Sequence, residues 1–155
     1  MTDESKPSWI VRIPTPLWLL GLIAIALLLN WALELPPIAQ HRPAGVALLV
    51  AGFALTSWAQ LTFKRHRAEI YPWSETHSAL VTGGPFRFSR NPMYLGLIVF
   101  GVGAALVAGT WAMWLVPAVV FVLDHFVIIP FEEQSMERTF GDAYRAYRTR
   151  VRRWL

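Results

Sequence analysis

The sequence contains no cysteine among its 155 residues. This absence excludes disulfide bonds, thiolate ligands to a metal and a cysteine nucleophile. Charged residues are also scarce, at 15% of the chain, whereas hydrophobic residues make up 55% and include eight tryptophans. A small soluble domain needs more polar surface than this composition provides, so the sequence predicts an integral membrane protein.

Several motifs that carry known chemistry are missing as well. No glycine-rich phosphate loop follows a strand pattern, and no Ser-His-Asp arrangement suggests a hydrolase. His66 and His77 share a loop but His41 lies in another, so no metal-ligand set of the usual spacing occurs. A basic face towards anionic lipid accounts for the net charge of +4, and we expect neither a metal nor nucleic acid as a partner.

Four apolar segments are long enough, or nearly long enough, to cross a bilayer as helices. They cover residues 17–35, 45–63, 93–108 and 111–131. Only Gly109 and Thr110 separate the last two segments, which predicts a tight helical hairpin. The N-terminus carries acidic residues and no small-residue cleavage site before Leu17, so the first segment is predicted to stay as an anchor and not to be a cleaved signal peptide.

The distribution of basic residues predicts the orientation, because short loops rich in Lys and Arg stay in the cytoplasm. Such residues concentrate in the loop 64–92 and in the tail 132–155, whereas the loop before the second span has only Arg42 and the hairpin turn has none. The prediction is therefore a single all-α domain over residues 1–155, multi-pass, with both termini cytoplasmic, in a bacterial inner membrane.

The tail beyond Pro130 has the pattern of an amphipathic helix. Met136, Phe140, Tyr144 and Tyr147 follow one another at steps of four, four and three, which places them on one helical face. Arginines gather towards the end of this segment, where they complement the helix dipole. A helix that lies along the membrane surface explains this pattern without any catalytic role.

Polar residues cluster where the third span begins and where the fourth ends. Asn91 and Pro92 suit a helix start, Tyr94 suits the aromatic belt of a membrane, and Arg90 suits a cytoplasmic flank. These structural roles explain each residue singly, but not why they should occur on the same membrane face as Glu132 and Glu133. Together such groups can bind a zwitterionic ligand that bears an amino acid.

Asp124 and His125 lie within the fourth span. Ionisable residues inside a membrane are costly, so they are candidates for function. His125 could serve as a base, or it could make a buried hydrogen bond between helices.

The segments GGPFRFSRNPMYLG and EEQSMERTFGDAYRAYRTRVRRW, in this order and on either side of a helical hairpin, resemble the isoprenylcysteine carboxyl methyltransferase and phospholipid methyltransferase group. The resemblance covers about half of the chain, from Ala79 to Trp154. It implies S-adenosylmethionine as the cofactor, bound between the last two helices and the C-terminal segment, and a lipid-like or small hydrophobic methyl acceptor.

The resemblance also implies which residues form the site. Arg90 and Glu133 would hold an end of the cofactor or the acceptor, and His125 could assist deprotonation. The cofactor-binding residues would be Leu80, Val81, Phe86, Asn91, Pro92, Met93, Tyr94, Glu132 and Glu133.

Two departures from the family pattern concern the acceptor. The chain has Arg90-Asn91-Pro92 where the eukaryotic isoprenylcysteine enzymes have Arg-His-Pro, and it has no arginine between Phe126 and Glu132, where those enzymes bind the acceptor carboxylate. A prenylcysteine carboxylate is therefore disfavoured, while a thiol, an amine headgroup or a different lipid acid stays open.

Two other functions fit parts of the sequence. The C-terminal region resembles membrane sterol-type reductases that use NADPH, although those chains usually have more spans. A small membrane scaffold protein without enzymatic activity would also account for the spans and a surface helix.

Overall fold

The computed structural model describes residues 13–65 and 79–155, so His66, Arg67 and His77 lie outside the described residues. Within these two ranges the regular structure is helical, apart from one isolated bridge between Pro37 and Thr110. The elements are α1 (Thr15–Ala32), α2 (Arg42–Arg65), a 3-10 turn (Gly84–Arg87), α3 (Pro92–Ala108), α4 (Trp111–Leu123), a π-helical turn (Asp124–Ile128), α5 (Ile129–Phe140) and α6 (Asp142–Arg150).

Three helices among the described residues are long and apolar enough to cross a membrane. They are α1, α2 and the continuous helix Trp111–Phe140, which is formed by α4, the π turn and α5. With 17 residues, α3 is shorter. The predicted fourth span, 111–131, therefore belongs to a helix that continues nine residues further, to Phe140.

Proline and glycine set the bounds of α3 as the sequence predicts. Pro92 occupies the first turn, where the missing N–H costs nothing. At the other end Gly109 adopts the left-handed conformation, with φ of 62°, and its N–H donates to the carbonyl of Ala105. The helix α4 begins at Trp111, so the predicted two-residue hairpin turn is present.

Glycines allow α2 and α3 to pack at very short distance. A Cβ atom on Gly52 would lie 2.5 Å from the Gly96 carbonyl oxygen, and one on Gly45 would lie 2.8 Å from the Gly103 oxygen. Each helix thus contributes two glycines, seven residues apart, to this contact. Close packing through small residues is typical of membrane helices. This contact fixes the position of the first turn of α3 against α2.

The helix α1 packs on α4, and their contact forms the main apolar core. Leu19 and Ala26 of α1 meet Met113, Val116 and Val120 of α4 there. A second, smaller cluster lies where α2 meets the 3-10 turn, and it contains Ala59, Phe63, Val81 and Phe86. Large apolar side chains elsewhere on these helices point outwards, as expected for lipid contact: Leu20, Leu28, Trp31, Phe53, Leu115 and Phe126.

The prediction of one amphipathic helix in the tail is wrong. The helix ends at Phe140, Gly141 has φ of 49°, and α6 starts anew at Asp142. This break turns α6 back against the protein, where Tyr144 and Tyr147 are buried. The periodicity of the aromatic residues is real, but it spans two helices and serves internal packing.

Candidate functional site

A cavity of about 420 Å³ lies where α1, α2 and α3 meet the tail. Its wall consists of the first residues of α1 and α3, one face of α2, the segment before the 3-10 turn, and parts of α5 and α6. Because α3 and α4 form a helical hairpin, the start of α3 lies beside the start of α5, where Tyr94 contacts Glu132. Polar residues that are distant in sequence therefore line the same cavity.

The residues predicted to contact the cofactor all line this cavity: Leu80, Val81, Phe86, Asn91, Pro92, Met93, Tyr94, Glu132 and Glu133. Arg90 lines it as well. These positions come from two segments about forty residues apart, and the fold places them around one cavity.

Glu133 is a buried carboxylate held by two arginines. Its Oε1 atom lies 3.1 Å from a terminal nitrogen of Arg90, and its Oε2 atom lies 2.6 Å from a terminal nitrogen of Arg153. The Nε atom of Arg153 also donates to Oε1, at 3.3 Å. A buried charge needs such partners because desolvation is costly. The sequence analysis did not identify Arg153.

Arg90 retains hydrogen-bonding capacity beyond this ion pair. Its side chain is only 9% exposed, yet its Nε and Nη1 atoms have no hydrogen-bond partner among the described residues. Buried N–H groups are almost always paired in folded proteins, so two unpaired donors on a residue that lines the cavity make Arg90 a candidate ligand-binding residue.

Tyr94 and Glu132 form a second polar pair on the cavity wall. The Tyr94 hydroxyl donates to Oε1 of Glu132, at 2.5 Å. Both residues line the cavity. The Tyr94 hydroxyl therefore contacts a carboxyl group of the protein at the cavity wall. Its interpretation as a residue of the membrane aromatic belt does not account for this contact.

Asn91 stands at the N-cap position of α3, but its side chain makes no capping hydrogen bond. Its amide instead donates to the backbone carbonyl of Arg153, at 3.0 Å. The hydroxyl of Ser89 donates to the same carbonyl and accepts the N–H of Asn91, while the N–H of Arg90 donates to the carbonyl of Arg152. The segment 89–91 therefore anchors the C-terminal residues beside the cavity.

His125 does not line this cavity. Its Nδ1 atom accepts a hydrogen bond from Trp154 Nε1, at 3.1 Å, and its ring stacks on Phe121. This corresponds to the structural alternative considered for His125, with the C-terminal segment as the partner. Arg87 also stays away from the cavity: it is exposed at the end of the 3-10 turn.

Two buried tyrosines of the tail, Tyr144 and Tyr147, form part of the cavity wall. The hydroxyl of Tyr147 donates to the carbonyl of Phe86, at 2.7 Å, and so joins α6 to the 3-10 turn. Burial raises the pKa of Tyr144 to about 12, and the nearby Glu133 carboxylate adds to this effect. Burial also raises the pKa of Tyr147 well above its usual value, with a smaller contribution from Tyr144.

The sequence analysis missed one whole wall of the cavity. Thr56, Gln60 and Lys64 of α2 line it, and their spacing of four residues places them on one helical face. This regular spacing of polar residues at the end of an apolar span was a usable signal. Thr15, at the first position of α1, carried no comparable signal. No cluster of metal-binding side chains occurs among the described residues.

The chain is similar in sequence to known methyltransferases. The family model described as phospholipid methyltransferase matches residues 41–143. Protein-S-isoprenylcysteine O-methyltransferase B of Arabidopsis thaliana is 29% identical over 108 residues, which are 69% of this chain and 55% of that protein. Protein-S-isoprenylcysteine O-methyltransferase A of the same plant is 28% identical over 104 residues, which are 66% of this chain and 53% of that protein.

An uncharacterized protein of Haemophilus influenzae is 41% identical over 64 residues, which are 41% of this chain and its own full length. The chain spans about half the length of the two plant relatives that it matches. No solved structure matches the chain significantly.

Proposed function

We propose that this chain, which belongs to the phospholipid methyltransferase family, is an integral membrane methyltransferase that uses S-adenosylmethionine. The cavity between α1, α2, α3 and the tail is its cofactor site. One observation supports this proposal most directly. The two segments that resemble the family line the same cavity, and Arg90 of one segment forms an ion pair with Glu133 of the other.

The lining of the cavity suits the groups that S-adenosylmethionine presents. Arg90 has two buried N–H donors that no described residue satisfies, and these fit the carboxylate of the amino acid part. The Glu132 and Glu133 carboxylates suit the ammonium group and the ribose hydroxyls. The apolar surfaces of Val81, Phe86 and other residues suit the adenine ring.

Methyl transfer requires alignment and exclusion of water more than it requires acid catalysis. The bound cofactor supplies an electrophilic methyl group on a positively charged sulfur. The chain supplies a cavity lined in part by α6, in which two arginines hold the Glu133 carboxylate and Tyr94 holds Glu132. His125 has no role in this proposal, because its ring packs on Phe121 and accepts the indole N–H of Trp154.

The membrane arrangement that fits this site has four spans and both termini in the cytoplasm, within a single domain. With 17 residues at about 1.5 Å each, α3 covers about 26 Å, which is less than the roughly 30 Å of a hydrocarbon core. Its first turn lies in the cavity wall, where protein groups satisfy its polar atoms. The cavity would then open on the cytoplasmic side, where a soluble cofactor is available.

The acceptor in this proposal is a lipid-like or small hydrophobic molecule that carries the methylated group at one end. The chain lacks an arginine between Phe126 and Glu132, so the carboxylate site of the isoprenylcysteine enzymes is not reproduced there. The acceptor group in this proposal is a thiol, an amine or another carboxyl group.

A binding measurement tests the cofactor assignment. S-adenosylmethionine should bind the purified protein in detergent, and Glu133→Ala or Asn91→Ala should weaken the affinity about tenfold or more. Glu137→Ala is the matched control, because Glu137 lies one turn further along α5 and pairs with Arg145 and Arg148 at the surface. NADPH, titrated in parallel, should not bind. Normal affinity in both site variants, or binding of NADPH alone, would remove the assignment.

A further inference from the structure

The chain leaves α6 in an extended conformation, since Val151 has φ of −122° and ψ of 130°. The backbone carbonyls of Arg152 and Arg153 then accept hydrogen bonds from segment 89–91, where α3 begins. These bonds hold the backbone, but they do not alone decide where the side chains point. The direction of one side chain matters most, because Arg153 pairs with the buried Glu133.

Trp154 attaches this segment to the helix that carries Glu133. Its indole N–H donates to Nδ1 of His125, at 3.1 Å. The two rings are stacked, and Phe121 lies 5.4 Å from each of them between ring centroids. Because Nδ1 accepts, the neutral imidazole carries its hydrogen on Nε2. The contact is partly buried, so loss of the acceptor would leave the indole N–H poorly satisfied.

Two consecutive residues of the segment thus contact one helix at positions about two turns apart. Arg153 pairs with Glu133, and Trp154 pairs with His125, eight residues earlier in the continuous helix Trp111–Phe140. At about 1.5 Å per residue these positions are about 12 Å apart along the axis. Successive side chains of extended chain point in opposite directions, so a fixed Trp154 ring also fixes the direction of Arg153.

We infer that His125 is a positioning residue, whose hydrogen bond from Trp154 holds Arg153 against Glu133 and thereby sets the affinity of the cavity for its cofactor. The part that concerns the cofactor rests on the proposed function. His125 does not line the cavity, so it acts only through the C-terminal segment. This role differs from that of a base.

The charges at the site explain why the place of Arg153 matters. Glu133 lies between Arg90 and Arg153, within hydrogen-bonding distance of both. Arg90 lines the cavity and has two N–H groups that no described residue satisfies. With Arg153 in place, these donors are available to a ligand. Without it, the buried carboxylate depends on Arg90 alone, and Arg90 binds an anionic group less tightly.

Variants of His125 separate its hydrogen bond from the packing of its ring. His125→Phe keeps a stacked aromatic ring without an acceptor, whereas His125→Asn places an amide oxygen where Nδ1 stands. Calorimetry in detergent measures the dissociation constant of S-adenosylmethionine. His125→Phe and Trp154→Phe should each raise it about fivefold, and His125→Asn should stay within about twofold of the wild type. His41→Phe is the control, because His41 is exposed beside the far end of α3.

A double-mutant cycle tests the route through Arg153. Once Arg153→Ala is present, His125→Phe should raise the dissociation constant less than about twofold further. A general loss of folding would instead weaken binding by the same factor in both backgrounds and lower the unfolding midpoint in both. That result, an unchanged affinity in His125→Phe, or failure of His125→Asn to restore binding would overturn the inference. If His125→Phe does not fold, Trp154→Phe carries the same comparison.

Amide hydrogen exchange tests the positioning role without any cofactor. The N–H of Arg90 donates to the carbonyl of Arg152, so its exchange reports how firmly the segment is held. His125→Phe and Trp154→Phe should accelerate this exchange about fivefold, whereas His125→Asn should not. Exchange unaffected by His125→Phe and Trp154→Phe would overturn the inference.

Failure of the proposed function has a different signature. In that case the wild type does not bind S-adenosylmethionine, whereas the exchange of the Arg90 N–H still depends on the acceptor at His125.

Discussion

The carboxylate of Glu133 and the guanidinium of Arg153 lie 2.6 Å apart, although twenty residues separate them along the chain. Arg153 follows α6, which turns back at Gly141 and passes over the cavity. The contact therefore joins the C-terminal segment to the residue around which the polar site is built. Formation of the site depends on the folded tail.

Removal of the Arg153 side chain should weaken cofactor binding. Arg153→Ala leaves Glu133 with Arg90 alone, while the backbone carbonyl that Ser89 and Asn91 use stays in place. We expect the dissociation constant of S-adenosylmethionine to rise about tenfold, measured by calorimetry in detergent. Arg148→Ala is the control, because its partner Glu137 is 3.7 Å away at the surface. Equal affinities in the two variants would contradict this role of Arg153.

Substitution of the contact glycines should destabilise the packing of α2 on α3. Gly52→Ala places a Cβ atom 2.5 Å from the Gly96 carbonyl oxygen, so α2 and α3 must separate. We expect a loss of about 1–3 kcal/mol in the free energy of unfolding in mixed micelles. Gly21→Ala is the matched control, since a Cβ there has no neighbour within 4 Å. A loss of stability in Gly21→Ala as large as that in Gly52→Ala would argue against this close packing.

The two tail tyrosines should make stability fall in alkaline solution. The pKa of Tyr144 is raised to about 12 and the pKa of Tyr147 is raised further, both chiefly by burial, against about 10 in the unfolded chain. Below pH 10 both states keep the phenol protons and this contribution to stability is complete. It is lost as the pH rises from 10 through the folded pKa values, because the unfolded chain then releases protons that the folded tail retains.

Thermal unfolding between pH 9 and pH 11.5 measures this dependence. Tyr144→Phe with Tyr147→Phe should flatten the decline of the unfolding midpoint above pH 10. The double variant should also start from lower stability, because the hydrogen bond from Tyr147 to the Phe86 carbonyl is gone. An equally steep decline in the double variant would show that other groups control the alkaline transition.

The sequence predicts much of the fold because hydrophobic length and helix breakers are local signals. The predicted segments 17–35, 45–63 and 93–108 lie close to α1, α2 and α3, and Pro92 and Gly109 set the bounds of α3. The break at Gly141 was missed for a physical reason. The aromatic residues keep a helical spacing across it, so periodicity alone does not reveal that the chain changes direction.

The lining of the cavity could be predicted where its residues are adjacent in sequence, as in segment 90–94 and the pair Glu132–Glu133. Arg153 was not, because a cluster of tail arginines is equally expected from contact with anionic lipid. The hydrogen bond from Thr15 to Asp124 joins residues 109 positions apart, and only the packing of α1 on α4 brings them together. Such contacts depend on tertiary structure and leave no local pattern.

We propose above that this cavity supports methyl transfer from S-adenosylmethionine. The most direct measurement incubates the purified protein with methyl-labelled S-adenosylmethionine and a membrane extract, and then counts label in the lipid fraction. We predict label transfer by the wild type and by Glu137→Ala, and at least a tenfold lower rate with Glu133→Ala. A wild type that transfers no more label than the extract alone, or Glu133→Ala acting at the wild-type rate, would contradict the claim.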